Sequence, residues 1–321
     1  FTYFLNDPVN GDQFAQPDRR VTSGVDATHT WHMHRSDTLS SDLTVGAQLQ
    51  NDNIYNGLYD TRKRARIATT REDHIVETSG AVFVENATRW SDALRTVVGV
   101  RANNYRFRVD GDRPENAGKA HDTLVTPTLN IAYGPWASTE LYANYGHGFH
   151  SNDARGTVAT VDPKTLDAVE RTPGLVRSRG VEFGLRTEAI PKMQMSLAVY
   201  RLDFDSELTY IGDAGNTEAG DPSRRYGIEF SNYYRPYKWL SVDFDAAWAR
   251  ARSLGNRIPG AIEGVAQLGV TVDRSGPWSG SLRLRWFGPR PLIEDDSVRS
   301  KASVTLNGRV GYQLAKNLQL E

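Results

Sequence analysis

The sequence contains no cysteine, so disulfide bonds and thiolate metal sites are impossible. No stretch approaches the ~20 apolar residues that a membrane-spanning helix needs, which excludes a helical membrane protein. The formal net charge of -1 gives no reason to expect binding to nucleic acid. The mean hydropathy of -0.54 suggests a soluble protein. That average covers both faces of every strand, however, so a β-barrel remains open.

Helical periodicity is nearly absent, whereas apolar and polar residues alternate along many segments. In one of them Leu240, Val242 and Phe244 alternate with Ser241 and Asp243. Successive side chains of a strand point to opposite faces, so one face is apolar and the other is charged. We find roughly fifteen such segments of about 10 to 14 residues, longer than the ~5 to 6 residues of typical soluble strands. This length suits strands that cross a bilayer at a tilt.

The alternation changes phase once, within residues 193–206. The apolar positions run through Leu197 and Val199 and then switch to Tyr200 and Leu202. A β-bulge, which inserts one extra residue into a strand, would produce that switch.

The connections between the segments alternate between short and long. This order is typical of outer-membrane barrels, which have tight periplasmic turns and extended outer loops. Tryptophan and tyrosine beside the short turns fit a girdle at a membrane–water interface. These aromatic residues are Trp90, Trp136, Tyr237, Trp239 and Trp278. The long connections are predicted at about 6–23, 51–72, 109–122, 150–176, 212–224, 253–262 and 288–300.

The predicted fold is an all-β, transmembrane, antiparallel up-and-down β-barrel. In lipid every backbone amide must be paired, so the sheet has to close. Phe1–Leu5 lacks the basic region and cleavage site of a signal peptide, and Asn317–Glu321 stops in a strand-like pattern. We therefore expect residues 1–321 to be one incomplete barrel domain, cut at both ends from a barrel of about 22 strands.

Two stretches, LYANYGHGF at 141–149 and VVGVR at 97–101, have the pattern of strands in a known family. They resemble the "yanyg.gF" and "GlR" strands of the TonB-dependent outer-membrane receptors, a family of energised importers. RIPGA at 257–261 is similar to a loop-to-strand entry, and NGRVGY at 307–312 resembles the penultimate hairpin. Together with a hairpin at 181–203, the resemblance covers most of 73–321. It implies a 22-stranded barrel, an N-terminal plug and a TonB box; the plug and the closing strand are not in this sequence.

The resemblance also implies a function in the bacterial outer membrane. Such receptors capture a scarce ligand by binding rather than by bond chemistry, so no enzymatic activity, cofactor or metal site is expected. The implied partners are the TonB complex, through the missing N-terminal part, and a ferric siderophore or other metal chelate. Outer-membrane lipid and lipopolysaccharide are further expected partners, and nucleic acid is not.

Ligand contacts are expected at the outer ends of strands and in the long loops. His147 and His150 are three residues apart, which places them on opposite faces of a strand and makes them poor metal co-ligands. Arg62 and Arg64 belong to a basic run that could attract an anionic ferric siderophore or lipopolysaccharide phosphates, although a solvated surface is the simpler interpretation. The predicted ligand-binding residues are His147, Phe149, His150, Asn152, Arg155, Arg62 and Arg64.

Three other protein classes compete with this interpretation. An outer-membrane hydrolase would need a nucleophile, base and orienting group, and no spacing in the sequence indicates them. A passive porin or a surface adhesin would share the barrel but would have no plug. A soluble β-sandwich or propeller would bury both sheet faces or show blade repeats, and no internal repeat is evident.

Overall fold

A computed structural model describes residues 14–63, 65–163, 165–211 and 216–321 of the protein, and they are almost entirely β-sheet. The helical segments within these ranges are α1 (Ala154–Val158) and a 3-10 turn (Pro114–Asn116). No helix in the described ranges is long and apolar enough to cross a membrane. The strands are β1 (Phe14–Ala15), β2 (Asp18–His34), β3 (Ser40–Arg62), β4 (Ala65–Arg89), β5 (Leu94–Gly111), β6 (Gly118–Trp136), β7 (Thr139–Ser151), β8 (Leu175–Thr187), β9 (Met193–Phe204), β10 (Leu208–Ile211), β11 (Asn216–Ala219), β12 (Ser223–Tyr237), β13 (Leu240–Ser253), β14 (Asn256–Arg257), β15 (Gly264–Ser275), β16 (Trp278–Phe287), β17 (Ser303–Ala315) and β18 (Leu318–Leu320).

Sixteen of these strands form a single antiparallel sheet. From β3 onwards each long strand pairs with the long strands before and after it in the chain, while β10 and β11 form a separate hairpin. Short turns join the strands at one end of the sheet, which we call the turn end. The long connections lie at the opposite end, the loop end. The all-β, antiparallel, up-and-down fold predicted from the sequence is confirmed.

The alternation in the sequence produces two unlike faces of the sheet. Val84 lies between Val45 and Val100 on the neighbouring strands, and the side chains of this face are apolar. The next residue, Glu85, points to the opposite face, where Gln267 and other polar side chains form hydrogen-bonded rows. We call these the apolar face and the polar face. Many large apolar side chains of the apolar face are exposed, so nothing in the described chain covers it.

Aromatic residues border the apolar face at both ends. Trp278 and Trp286 lie on this face of β16, one near each end of the strand. Trp278 and Trp286 are eight residues apart, which corresponds to ~26 Å along the strand at ~3.3 Å per residue. In a barrel whose strands tilt by about 40°, this is a height of roughly 20 Å along the barrel axis. The height is close to the ~25 Å apolar band of outer-membrane barrels.

Two connections predicted as long loops belong instead to strands. Most of 51–72 forms the arms of the β3–β4 hairpin, and 18–23 is the start of β2. The prediction was wrong because these strands extend beyond the apolar band, where polar side chains occur on both faces and a regular alternation no longer marks a strand. The 109–122 connection is also shorter than predicted. The loops at 150–176, 253–262 and 288–300 are confirmed, and 212–224 lies partly outside the described residues.

The β-bulge predicted within 193–206 is not present. Strand β9 pairs with β8 and β12 without any shift in register. Val199 and Arg201 therefore point to the same apolar face, one above the other. Towards the loop end this face carries polar instead of apolar side chains. In the sequence, that change of polarity along one regular strand resembles a change in phase.

Candidate ligand-binding site

The long connection between β7 and β8 folds back onto the polar face of the sheet. Its short helix α1 places Ala154 and Val158 against apolar side chains of β3, β4 and β5, and Val158 is only 1% exposed. The loop therefore accounts for an apolar patch on the polar face, because it covers these side chains and removes them from water. The members of this loop cluster are Ile54, Ile75, Phe107, Val109, Ala154 and Val158.

An ion pair and a hydrogen bond also hold the same loop against the sheet, which forms the wall of the site. Arg155 donates from Nε to the Asp153 carboxylate at 2.9 Å and from Nη1 to Asn56 Oδ1 on β3 at 2.8 Å. The Asp153 side chain also accepts the backbone N–H of Arg155 and so caps α1. Burial alone would raise the pKa of Asp153, but the hydrogen bonds and charge of Arg155 outweigh burial and hold that pKa below its ordinary value.

Further hydrogen bonds close both ends of the loop. Asn152 donates its backbone N–H to Gly174 O at 3.0 Å and its side-chain amide to Pro173 O at 2.7 Å. Leu175 N donates to Asp122 Oδ2 on β6 at 2.9 Å. Gly174 is required at this crossing, since a Cβ there would lie 2.7 Å from the ring of Phe107. The loop therefore has a defined position on the polar face.

A polar cleft of about 380 Å³ lies beside the loop, between it and the wall. Volumes of this order are typical of small-molecule sites. Charges of both signs face the cleft, and Asp52 accepts hydrogen bonds from Thr22 and Gln50. Among the residues that the structure describes, no three His, Asp or Glu side chains approach closely enough to form a metal site. The wall contributes Asp18, Arg20, Gln50, Asp52, Asn56, Glu77, Ser79 and Tyr105, and the loop contributes Asn152, Asp153 and Arg155.

Three of the predicted ligand-binding residues lie together on the polar face at the loop end: His150, Asn152 and Arg155. Asn152 and Arg155 line the cleft, whereas the His150 ring lies near Phe204, with 6.2 Å between ring centroids.

The other predicted residues lie elsewhere. His147 points to the apolar face, where its Nε2 is 2.8 Å from the hydroxyl of Tyr145. Phe149 packs edge-on against Tyr105 at 5.8 Å between centroids, and it does not line the cleft. Arg62 is exposed at the tip of the β3–β4 hairpin, and Arg64 lies outside the described residues.

Sequence reasoning missed the wall of the cleft. Arg20, Asp52 and Asn56 fall in the segments interpreted as loops at 6–23 and 51–72. A period-two signal was available, because Gln50, Asp52 and Asn56 share one face, but the opposite face is also polar in this region.

Comparison with known proteins identifies this architecture. The family described as TonB dependent receptor-like, beta-barrel matches residues 1–321. The chain belongs to the TonB-dependent receptor family. Members of the family are transport receptors rather than enzymes. No curated protein matches the chain in sequence.

Solved structures share the fold of this receptor barrel at low sequence identity. The copper transporter OprC has a TM-score of 0.75 and 17% identity over 96% of this chain and 50% of its own. The ferric yersiniabactin uptake receptor FyuA from Yersinia pestis has a TM-score of 0.73 and 15% identity. The match covers 99% of this chain and 50% of FyuA. The unliganded ferric citrate transporter FecA also has a TM-score of 0.73 and 15% identity. The match covers 98% of this chain and 50% of FecA. The chain thus spans about half the length of these proteins.

Proposed function

We propose that this chain forms much of the wall of an outer-membrane receptor that imports a scarce ligand with energy supplied through TonB. The ligand class is a ferric siderophore or another metal chelate. The polar cleft at the loop end carries the proposal, because it opens where an external ligand would arrive and offers charges of both signs to a polar chelate. Family membership supports coupling to TonB, and similar structures named for ferric yersiniabactin and ferric citrate support the ligand class.

Within this proposal the inner residues of the loop end have distinct roles. Arg155 is held by Asp153 and Asn56, so it shapes one side of the cleft. Asn152 lines the cleft beside Arg155, whereas His150 lies outside the cleft near Phe204.

Uptake measurements test the proposed function. The full-length receptor is expressed in cells that lack other iron receptors, with and without TonB, and is supplied with radioactive iron complexed by citrate, hydroxamate or catecholate chelators. We expect accumulation of at least one complex that depends on TonB. A passive porin also carries a loop folded onto its inner wall, and uptake that persists without TonB would establish that alternative.

Placing a charge on the apolar face tests the membrane location. Val84→Arg puts a cation in the middle of the apolar band, where it is expected to destabilise the inserted barrel by about 2–4 kcal/mol. The yield of folded full-length receptor in lipid vesicles, measured by the altered electrophoretic mobility of unheated barrel, should fall strongly. Glu85→Arg is the control, because the adjacent residue faces the polar side. Equal yields for both variants would contradict lipid contact at the apolar face.

A further inference from the structure

The polar cleft beside the β7–β8 loop adjoins a second cavity further along the wall, which we call the lower pocket. The lower pocket has a volume of about 320 Å³ and shares Gln50, Ser79 and Tyr105 with the cleft. Gln50 pairs with Ser79, and the next pair towards the loop end on the same face is Asp52 with Glu77. The order of these pairs places the lower pocket on the turn-end side of the cleft. A ligand that enters the cleft from the loop end therefore has the lower pocket ahead of it.

The side chains that line the two cavities carry more negative than positive charge. The carboxylates are Asp18, Asp52, Glu77 and Asp153 in the cleft and Asp26 in the lower pocket. The guanidinium groups are those of Arg20, Arg101 and Arg155. Five carboxylates against three guanidinium groups leave a formal surplus of two negative charges among the described lining residues. Charges of one sign act more strongly on a ligand inside a cleft than in open solution, because the walls have a low dielectric constant.

The positive groups of both cavities already have polar partners within the protein. Arg155 forms the ion pair and hydrogen bond that hold the β7–β8 loop. Arg101 donates from Nε to Asn103 Oδ1 at 2.7 Å, and Arg20 Nη2 lies 3.8 Å from Asp18 Oδ2. An anionic ligand would therefore have to compete with these partners for every guanidinium group that it meets.

Two carboxylates that lie opposite each other on β3 and β4 have no such partner of opposite charge. Asp52 accepts hydrogen bonds from Thr22 and Gln50, which are both neutral donors. Glu77 is directly opposite Asp52 and forms no ion pair within the described ranges of the chain. An anionic ligand in the cleft would face both of these carboxylates without a compensating cation.

We propose that the cleft and the lower pocket accept a metal chelate that is neutral or positively charged and exclude chelates with a net negative charge. This inference rests on the proposed function, because it requires the cleft to receive the transported chelate. Repulsion between like charges in a confined site weakens binding and slows association, so uncompensated carboxylates discriminate against anions. The neutral side chains of Gln48, Ser79 and Tyr105 in the lower pocket suit a chelate with uncharged amide or hydroxyl groups on its surface.

Binding of chelates that differ in charge to the purified full-length receptor tests the inference. The probes are a ferric trihydroxamate, which is neutral, and a ferric tricatecholate, which is triply negative. Their affinities are measured by quenching of tryptophan fluorescence at about pH 8, well above the range in which carboxylates ordinarily titrate. We expect the trihydroxamate to bind more tightly than the tricatecholate by on the order of tenfold or more.

Substitutions that preserve side-chain shape assign this preference to the two cavities. Asp52→Asn together with Glu77→Gln should strengthen binding of the tricatecholate by on the order of tenfold and change that of the trihydroxamate by less than about twofold. The matched control is Asp42→Asn together with Glu85→Gln, which removes equal charge from the same face of β3 and β4 outside both cavities. The control variant should bind both chelates as the unaltered receptor does.

The remaining outcomes separate this inference from the proposed function. A tricatecholate that binds as tightly as the trihydroxamate, or that gains no affinity from the Asp52 and Glu77 substitutions, would overturn the selection by charge. An equal gain in the control variant would overturn the assignment to these cavities. In each of these cases, uptake of either complex that depends on TonB would leave the receptor function intact. A receptor that neither binds nor takes up any of the iron complexes would overturn the proposed function itself.

Discussion

Arg155→Met is expected to release the β7–β8 loop from the wall of the barrel. The Arg155 side chain is only 8% exposed and forms the contact between Asp153 and Asn56. Methionine preserves much of the volume but leaves the partly buried Asp153 carboxylate without its guanidinium partner. Breaking a buried ion pair in this way costs roughly 3–5 kcal/mol. The cost is local, because the loop can detach while the strands remain paired.

Hydrogen exchange on the full-length receptor measures the release. Amides of α1 and of the residues up to Gly174 should exchange on the order of a hundredfold faster or more, since each 1.4 kcal/mol corresponds to a factor of about ten. Binding of the transported chelate should weaken in parallel, because the loop forms one side of the cleft. Arg171→Met, at an exposed position of the same loop, is the matched control. Unchanged exchange in the Arg155 variant would show that the ion pair does not hold the loop.

Phe107→Ala is expected to weaken the same loop through its apolar contacts. The Phe107 ring is 1% exposed and lies in the loop cluster with Val109 and Val158, so its loss leaves a cavity. Truncations of this kind typically cost 3–5 kcal/mol. Because Phe107 belongs to β5, the variant should lower the thermal stability of the barrel as well as loosen the loop.

Comparing two measurements distinguishes the apolar from the charged anchor. Phe107→Ala should lower the melting temperature and also accelerate exchange in α1, whereas Arg155→Met should affect mainly exchange. Leu166→Ala is the control, because Leu166 lies in the same loop but is 57% exposed. Unaltered hydrogen exchange in α1 of the Phe107 variant would show that the hydrogen bonds alone hold the loop. In the double variant the two losses should not add fully, since both residues support one element.

Local patterns made most of the fold predictable. Alternation along β13 and β16 marks strands because successive side chains point to opposite faces, one of which is apolar and the other polar. The sorting of connections by length and the aromatic residues at the turns identified the two ends of the sheet. Where those surroundings are lost, as along β3 beyond Gln50, the same strand becomes unrecognisable in sequence.

By itself, the sequence determined the class of fold, the face of each strand in the apolar band and the family to which the chain belongs. Only the tertiary structure decided which residues meet at the cleft. Arg155 and Asn56 are 99 residues apart in the chain, and their contact depends on a loop folding over four strands. No local pattern encodes that fold-back, because it results from burying Val158 against Phe107 and from pairing one buried charge with another.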